Sequence, residues 1–202
     1  MASDQQAFQR IAGSVRRIFT AREDPEMRQT IEVLKHTAVL RGLPGRVLRD
    51  VAGIVHRREY RRDEFIYYER DPGLGLYVVQ TGRIRLLAED DKGAVHELRQ
   101  VGESDLFGKL SLLGDFRRTE TAQAFTDASV LGLFRPDLKT IIKRHPGSGA
   151  EVVGALARNL AAMEVELIRV LIEKDGKLEA LRLIDNAAAR VDHMSGTDAS
   201  SV

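Results

Sequence analysis

The chain has 202 residues, 43% of them hydrophobic, and its 31 basic and 30 acidic side chains leave a formal charge of +1. That is enough apolar material for one ordinary domain with helical extensions, and too little net charge for a global field that would draw nucleic acid or an anionic membrane. Cysteine is absent, which excludes disulfides and thiol chemistry; no apolar run is long enough to span a membrane, and the opening MASDQQAFQR has no apolar signal core, so we expect a soluble, cytoplasmic protein.

In chain order, Phe8, Ile11, Val15, Ile18 and Phe19 recur at helical spacing between Gln5 and Arg22, with a basic face that includes Arg10, Arg16, Arg17 and Arg22. This reads either as a packed cap or as a docking helix for a partner or a membrane surface. Asp24-Pro25 starts a second helix, proline being suited to the first helical position, and Met27, Ile31, Leu34 and Val39 form its apolar stripe. Gly42-Leu43-Pro44-Gly45 breaks the pattern, and a short helix from Arg46 to Ile54 follows. From Val55 the period shifts toward alternation. Asp63 to Glu69 alternates Phe65 and Tyr67 against Ile66 and Tyr68, as a strand buried on both faces does. Strands are expected over Leu76 to Val79, Arg83 to Ala88, Val95 to Val101, Ala122 to Thr126 and Val130 to Phe134, with turns at Asp71-Pro72-Gly73, Thr81-Gly82 and Glu89 to Gly93. Short strands at this spacing predict an antiparallel barrel or jelly roll.

Arg135-Pro136-Asp137 opens a short helix to Arg144, and His145 to Gly149 reads as a break. A long helix is expected from Ala150, where Val153, Leu156, Leu160, Met163, Leu167 and Val170 repeat three and four apart. Such a seam either packs within the chain or pairs two copies; charged outer positions (Glu164, Glu166, Arg169, Glu173) favour a homodimer. Gly176 interrupts the stripe and Leu178, Leu181 and Ile184 resume it. The Ser/Gly/Asp-rich end from Asp192 to Val202 predicts disorder.

The sequence holds no nucleophile elbow, P-loop or zinc-protease motif, and its five histidines lie scattered without ligand spacing, so neither an enzyme nor a metal centre is expected. Glu103 and Asp105 read as turn-makers, and Arg57-Arg58 and Arg61-Arg62 as a solvated face. The informative stretch is Phe107 to Thr126, FGKLSLLGDFRRTETAQAFT. A glycine pivot, a short apolar turn (Leu110, Leu112, Leu113) and the pair Arg117-Arg118 suit an anion: a tight turn gathers backbone N–H groups and an arginine adds charge-assisted, bidentate hydrogen bonds.

That stretch resembles the phosphate-binding cassette of the cyclic nucleotide-binding domain family, with Phe107, Gly108, Leu110, Leu113, Arg118, Thr121 and Ala124 on matching positions. Leu34, Leu40, Gly42 and Leu43 match the family's lead-in helices, and Gly73 and Gly82 its glycine-bearing hairpin, so the resemblance covers roughly Leu34 to Leu171. It implies an α+β fold: an antiparallel β jelly-roll barrel with N-terminal helices and a long C-terminal dimerisation helix. The expected organisation is a helical cap over 1–45, the barrel over 46–146, the long helix over 147–191 and a disordered tail over 192–202. The implied ligand is cAMP or cGMP, with no other cofactor. Arg118 is then the phosphate clamp, and Phe107, Gly108, Lys109, Leu110, Thr119 and Glu120 complete the site. Lys109 stands where the family has the acid that accepts the ribose 2′-hydroxyl, and an ammonium cannot accept a hydrogen bond. Three readings stay open: a cyclic-nucleotide sensor with altered selectivity, a dimeric interaction module whose pocket is empty or filled by Glu120, and a pocket retuned for a cyclic dinucleotide. The family's bacterial transcription factors append a helix-turn-helix after the long helix; too few residues follow Gly176 for one, so no DNA-binding domain is expected, and the protein partner is unidentified.

Overall fold

The computed structural model of the chain describes residues 24–198. The expected helix between Gln5 and Arg22 lies outside the described residues. The chain divides into two compact units at Val152/Val153.

In the first unit, helix α1 (Pro25–His36) starts where Asp24 accepts a hydrogen bond from the Glu26 N–H at 3.2 Å, and Pro25 sits where a missing N–H costs nothing. It buries Val33 and Leu34, with Met27 and Ile31 half-buried on the same stripe. Helix α2 (Gly45–Ala52) buries Val47, Leu48, Val51 and Ala52. Eight antiparallel strands follow: β1 (His56–Tyr60), β2 (Phe65–Tyr67), β3 (Gly75–Thr81), β4 (Ile84–Glu89), β5 (Val95–Val101), β6 (Leu106–Phe107), β7 (Thr121–Ala124) and β8 (Ala128–Phe134). They form two four-stranded sheets, ordered β1-β8-β3-β6 and β2-β7-β4-β5. The inner faces share one core. Tyr67, Ile84, Leu86, Val101, Ala122 and Ala124 come from one sheet, and Tyr77, Val79, Phe107, Ala128 and Val130 from the other. This is the expected jelly-roll architecture. Between β6 and β7 lies the four-residue helix α3 (Leu110–Leu113), and after β8 comes α4 (Arg135–Arg144).

Two local expectations need correction. Strand β2 is not buried on both faces: Phe65 is 42% and Tyr68 53% exposed, their rings stacked at 4.7 Å outside the barrel. A register shift between Phe65 and Tyr67 against β7 interrupts the alternation, so residues two apart no longer share a face. Nor do Gly147, Ser148 and Gly149 form a break. Helix α5 (Pro146–Asp175) already contains them, with Pro146 as its first residue. A Cβ at Gly149 would lie 2.7 Å from the Ile142 Cα, so this glycine permits close packing of α5 on α4. The Ser148 hydroxyl donates to Asp50 at 2.6 Å, tying the same turn to α2.

The second unit carries the rest of α5 and helix α6 (Lys177–Asp198). Gly176 separates them with φ of +81°, a left-handed stop that glycine adopts without strain. Met163, Leu167, Val170, Leu178 and Leu181 are exposed. The stretch from Asp192, expected to be disordered, is helical to Asp198; the strong helix formers Ala187, Ala188, Ala189 and Arg190 carry the backbone into it.

Candidate functional site

The cassette lies where the two sheets meet. Phe107 is on β6, paired to β3, and is 2% exposed; its ring lies 5.3 Å from Tyr77 and 6.0 Å from Tyr67. Gly108 follows with φ of +67°, and the turn it makes sends the chain into α3. A side chain at Gly108 would displace the tip of Arg118: a Cβ there would lie 2.3 Å from Arg118 Nη1 and 3.3 Å from the Tyr67 hydroxyl. The left-handed backbone favours glycine, and any side chain added there meets Arg118 first.

Arg118 is the centre of the site. It is 5% exposed, and its Nη1 donates to the Gly108 carbonyl at 2.9 Å. Its guanidinium lies 4.1 Å from the centre of the Tyr67 ring and 5.6 Å from that of Tyr77, within cation–π range of both. It has no ion pair among the described residues, and its buried Nε has no hydrogen-bond partner. The backbone beneath it is held at both polar groups: the Arg118 N–H donates to the Asp71 carbonyl at 2.9 Å, and its carbonyl accepts from the Arg70 N–H at 2.8 Å. Arg117, the other half of the basic pair, points away and donates to the Arg70 carbonyl at 2.8 Å.

Of the other expected site residues, Glu120 and Thr119 lie beside Arg118. The Tyr67 hydroxyl donates to Glu120 Oε1 at 2.9 Å, and the Thr119 hydroxyl donates to Glu120 Oε2. Burial, and then the adjacent Glu120 carboxylate, push the Tyr67 phenol up, so it stays a donor. Lys109 is half-buried just before α3; burial, and then the Arg99 guanidinium, hold its ammonium below the usual lysine range. Arg99 stands opposite Leu86 in the β4–β5 ladder, and Leu86 belongs to the inner face. Leu110 and Leu113 are exposed while Leu112 is buried, so α3 presents two apolar side chains outward. Ser111 is buried, its hydroxyl donating to the Phe116 carbonyl at 3.2 Å. Asp105 accepts from the Gly102 N–H at 2.9 Å, a turn-making role.

Sequence reasoning missed Tyr67, Tyr77 and Arg99 as members of this site. The available signal was a tyrosine on a strand otherwise inward-facing and apolar, since a buried phenol needs a partner for its hydroxyl. Among the described residues no group of three or more histidine, aspartate and glutamate side chains could hold a metal ion, and no helix is long and apolar enough to cross a membrane.

The profile of the family described as "Cyclic nucleotide-binding domain" matches residues 57–145. The cyclic AMP receptor protein of Thermus thermophilus is 32% identical over 134 residues, covering 66% of this chain and 62% of that protein. The crystal structure of the Thermus thermophilus catabolite activator protein matches with a TM-score of 0.56 at 32% identity, over 67% of this chain and 63% of that one. The N-terminal domain of a transcriptional regulator from Streptomyces coelicolor A3(2) matches with a TM-score of 0.62 at 28% identity, over 67% of this chain and 94% of that domain. The chain spans about three fifths of the length of the curated relatives it matches. Through residues 57–145, and as the phrase beginning at Phe107 led us to expect, the chain belongs to the cyclic nucleotide-binding domain family.

Proposed function

We propose that this chain is a regulatory protein that takes a cyclic nucleotide such as cAMP or cGMP at Arg118 and signals as a homodimer through its C-terminal helix. One observation carries the reading. A guanidinium 5% exposed, with an orphaned Nε and no carboxylate partner among the described residues, is a buried cation in need of an anion. Burying a charge without a counter-charge is costly, and a cyclic phosphate relieves that cost with bidentate, charge-assisted hydrogen bonds. The Gly108 turn and the backbone N–H groups entering α3 supply the remaining contacts to phosphate and sugar. The Thermus relative named a cyclic AMP receptor protein makes cAMP the first ligand to test. The route of signalling starts at the turn after Gly108. Arg135, the first residue of α4, donates to the Gly114 carbonyl at 2.7 Å and pairs with Asp115 at 3.2 Å, so a shift of that turn pulls on α4.

Two specific observations favour other occupants. The Tyr67 and Tyr77 rings lie 4.1 and 5.6 Å from the Arg118 guanidinium, as in an interaction module whose pocket is filled from within. Arg99 beside Lys109 adds cations suited to a more highly charged ligand such as a cyclic dinucleotide. Calorimetry with cAMP, cGMP and cyclic dinucleotides separates the three. Micromolar binding of a monophosphate supports the sensor, and binding of a cyclic dinucleotide alone supports the retuned pocket. Silence toward all of them from well-folded protein leaves the interaction module.

A further inference from the structure

Arg118 and Glu120 are opposite full charges two residues apart in the chain, and they do not meet. In a partly buried site an arginine and a carboxylate within reach normally close into a bidentate pair, because the low local dielectric strengthens the attraction and each satisfies the other's hydrogen-bonding groups. Here one residue from another strand keeps them apart. The face of the Tyr67 ring carries the guanidinium, 4.1 Å from its centre, while the hydroxyl at the ring's edge holds Glu120 Oε1 at 2.9 Å. The second carboxylate oxygen is taken by the Thr119 hydroxyl. The guanidinium therefore lies on the face of the ring and the carboxylate at its hydroxyl end. The carboxylate is satisfied, and the guanidinium keeps an unpartnered Nε.

We infer that the Tyr67 hydroxyl is a latch that holds the Glu120 carboxylate off Arg118, keeping the arginine open to an external anion. Glu120 is then a competitor carried by the chain itself. Released from Tyr67, it swings onto Arg118 and closes the site from within. Tyr67 acts as a positioning residue through its hydroxyl, while its ring supports the guanidinium whether or not the hydroxyl is present. The inference rests on the reading of Arg118 as an anion site, so its test includes an arm that needs no ligand.

In that arm the Glu120 carboxyl is titrated by NMR in the wild-type chain and in Tyr67→Phe, without nucleotide. If the latch operates, Tyr67→Phe lets Glu120 pair with Arg118, and its pKa falls by about 1 or more. If the carboxylate merely loses a donor and turns to water, its pKa rises; a rise or no change overturns the latch. Thr119→Val removes the second hydroxyl at an exposed position. With the Tyr67 hydroxyl still on Oε1 it should not lower the pKa; a fall would assign the hold on Glu120 to Thr119 and overturn the Tyr67 latch, a result that stays readable if Tyr67→Phe fails to fold. In the second arm, cAMP is the probe. Tyr67→Phe should weaken its binding by about tenfold or more, the scale of one charge-assisted hydrogen bond. Tyr67→Phe combined with Glu120→Ala should recover the affinity of Glu120→Ala alone. Failure of that recovery overturns the latch. Absence of cAMP binding in the wild type counts against the anion-site reading instead, and the titration still decides the latch.

Discussion

Arg118 concentrates the predictions that belong to single residues. Arg118→Ala should abolish nucleotide binding while the circular dichroism spectrum stays that of the folded chain, since the main-chain bonds of Arg118 to Asp71 and Arg70 survive the change. Calorimetry on the variant checks this, and wild-type affinity would remove the clamp assignment. Lys109→Glu should tighten binding of a ribose cyclic monophosphate. It supplies an acceptor where an ammonium has only donors, and it replaces a cation beside Arg99 with its opposite, a gain of about 1–3 kcal/mol for a charged hydrogen bond. Weaker binding would mean that Lys109 itself holds the ligand. The arginine and the glycine of this site were legible in the sequence because both belong to one contiguous phrase with its own spacing. Tyr67 was not. Its partner Glu120 is 53 positions away, and only strand pairing brings the two together. Periodicity also put Tyr67 on the same face as Phe65, and the bulge in β2 separates them.

Two glycines test the elements that carry these residues. Gly108→Ala forces a side chain into a left-handed turn, at about 1 kcal/mol, and drives its Cβ against Arg118 Nη1, 2.3 Å away. It should lower the melting temperature and the nucleotide affinity together; loss of one without the other would separate the turn from the clamp. Gly149→Ala distinguishes two views of the α4–α5 corner by sign. If Gly149 only broke a helix, alanine would stabilise by about 1 kcal/mol through helix propensity. Packed with no room for a Cβ beside the Ile142 backbone, alanine should instead destabilise by about 1–3 kcal/mol, readable by urea denaturation. The run His-Pro-Gly-Ser-Gly looks like a breaker because its composition is that of loops. What decided the outcome was packing against α4 and the Ser148–Asp50 hydrogen bond, neither of which local composition encodes.

For the whole molecule, the strongest expectation concerns assembly. Helix α5 has 30 residues, about 45 Å of helix, and Met163, Leu167 and Val170 on its later turns are exposed. A second copy of the same stripe would cover them in the manner of a two-stranded coiled coil. Sedimentation at micromolar concentration should show a dimer, and Leu167→Asp should return it to monomer; a monomeric wild-type chain would refute the pairing. The barrel itself was legible because turn residues and alternation recur at short intervals along the chain. The second helix after Gly176 was only partly legible, since its Ser/Gly/Asp ending resembles a tail while the alanines before it continue the helix.

The main-chain anchorage of Arg118 gives the site a fixed jaw and a movable one. Asp71 and Arg70 grip the backbone on either side of the arginine, so that half is a stator. The opposite half, from Lys109 to Asp115, follows the Gly108 pivot, is seated by the buried Ser111 and Leu112, and is gripped at its far end, at Gly114 and Asp115, by the Arg135 side chain. Under the proposed function, such a caliper would measure its ligand by the travel of one arm. Deuterium uptake in the presence of an anion should therefore slow over Lys109 to Asp115 and stay level over Arg117 to Ala124.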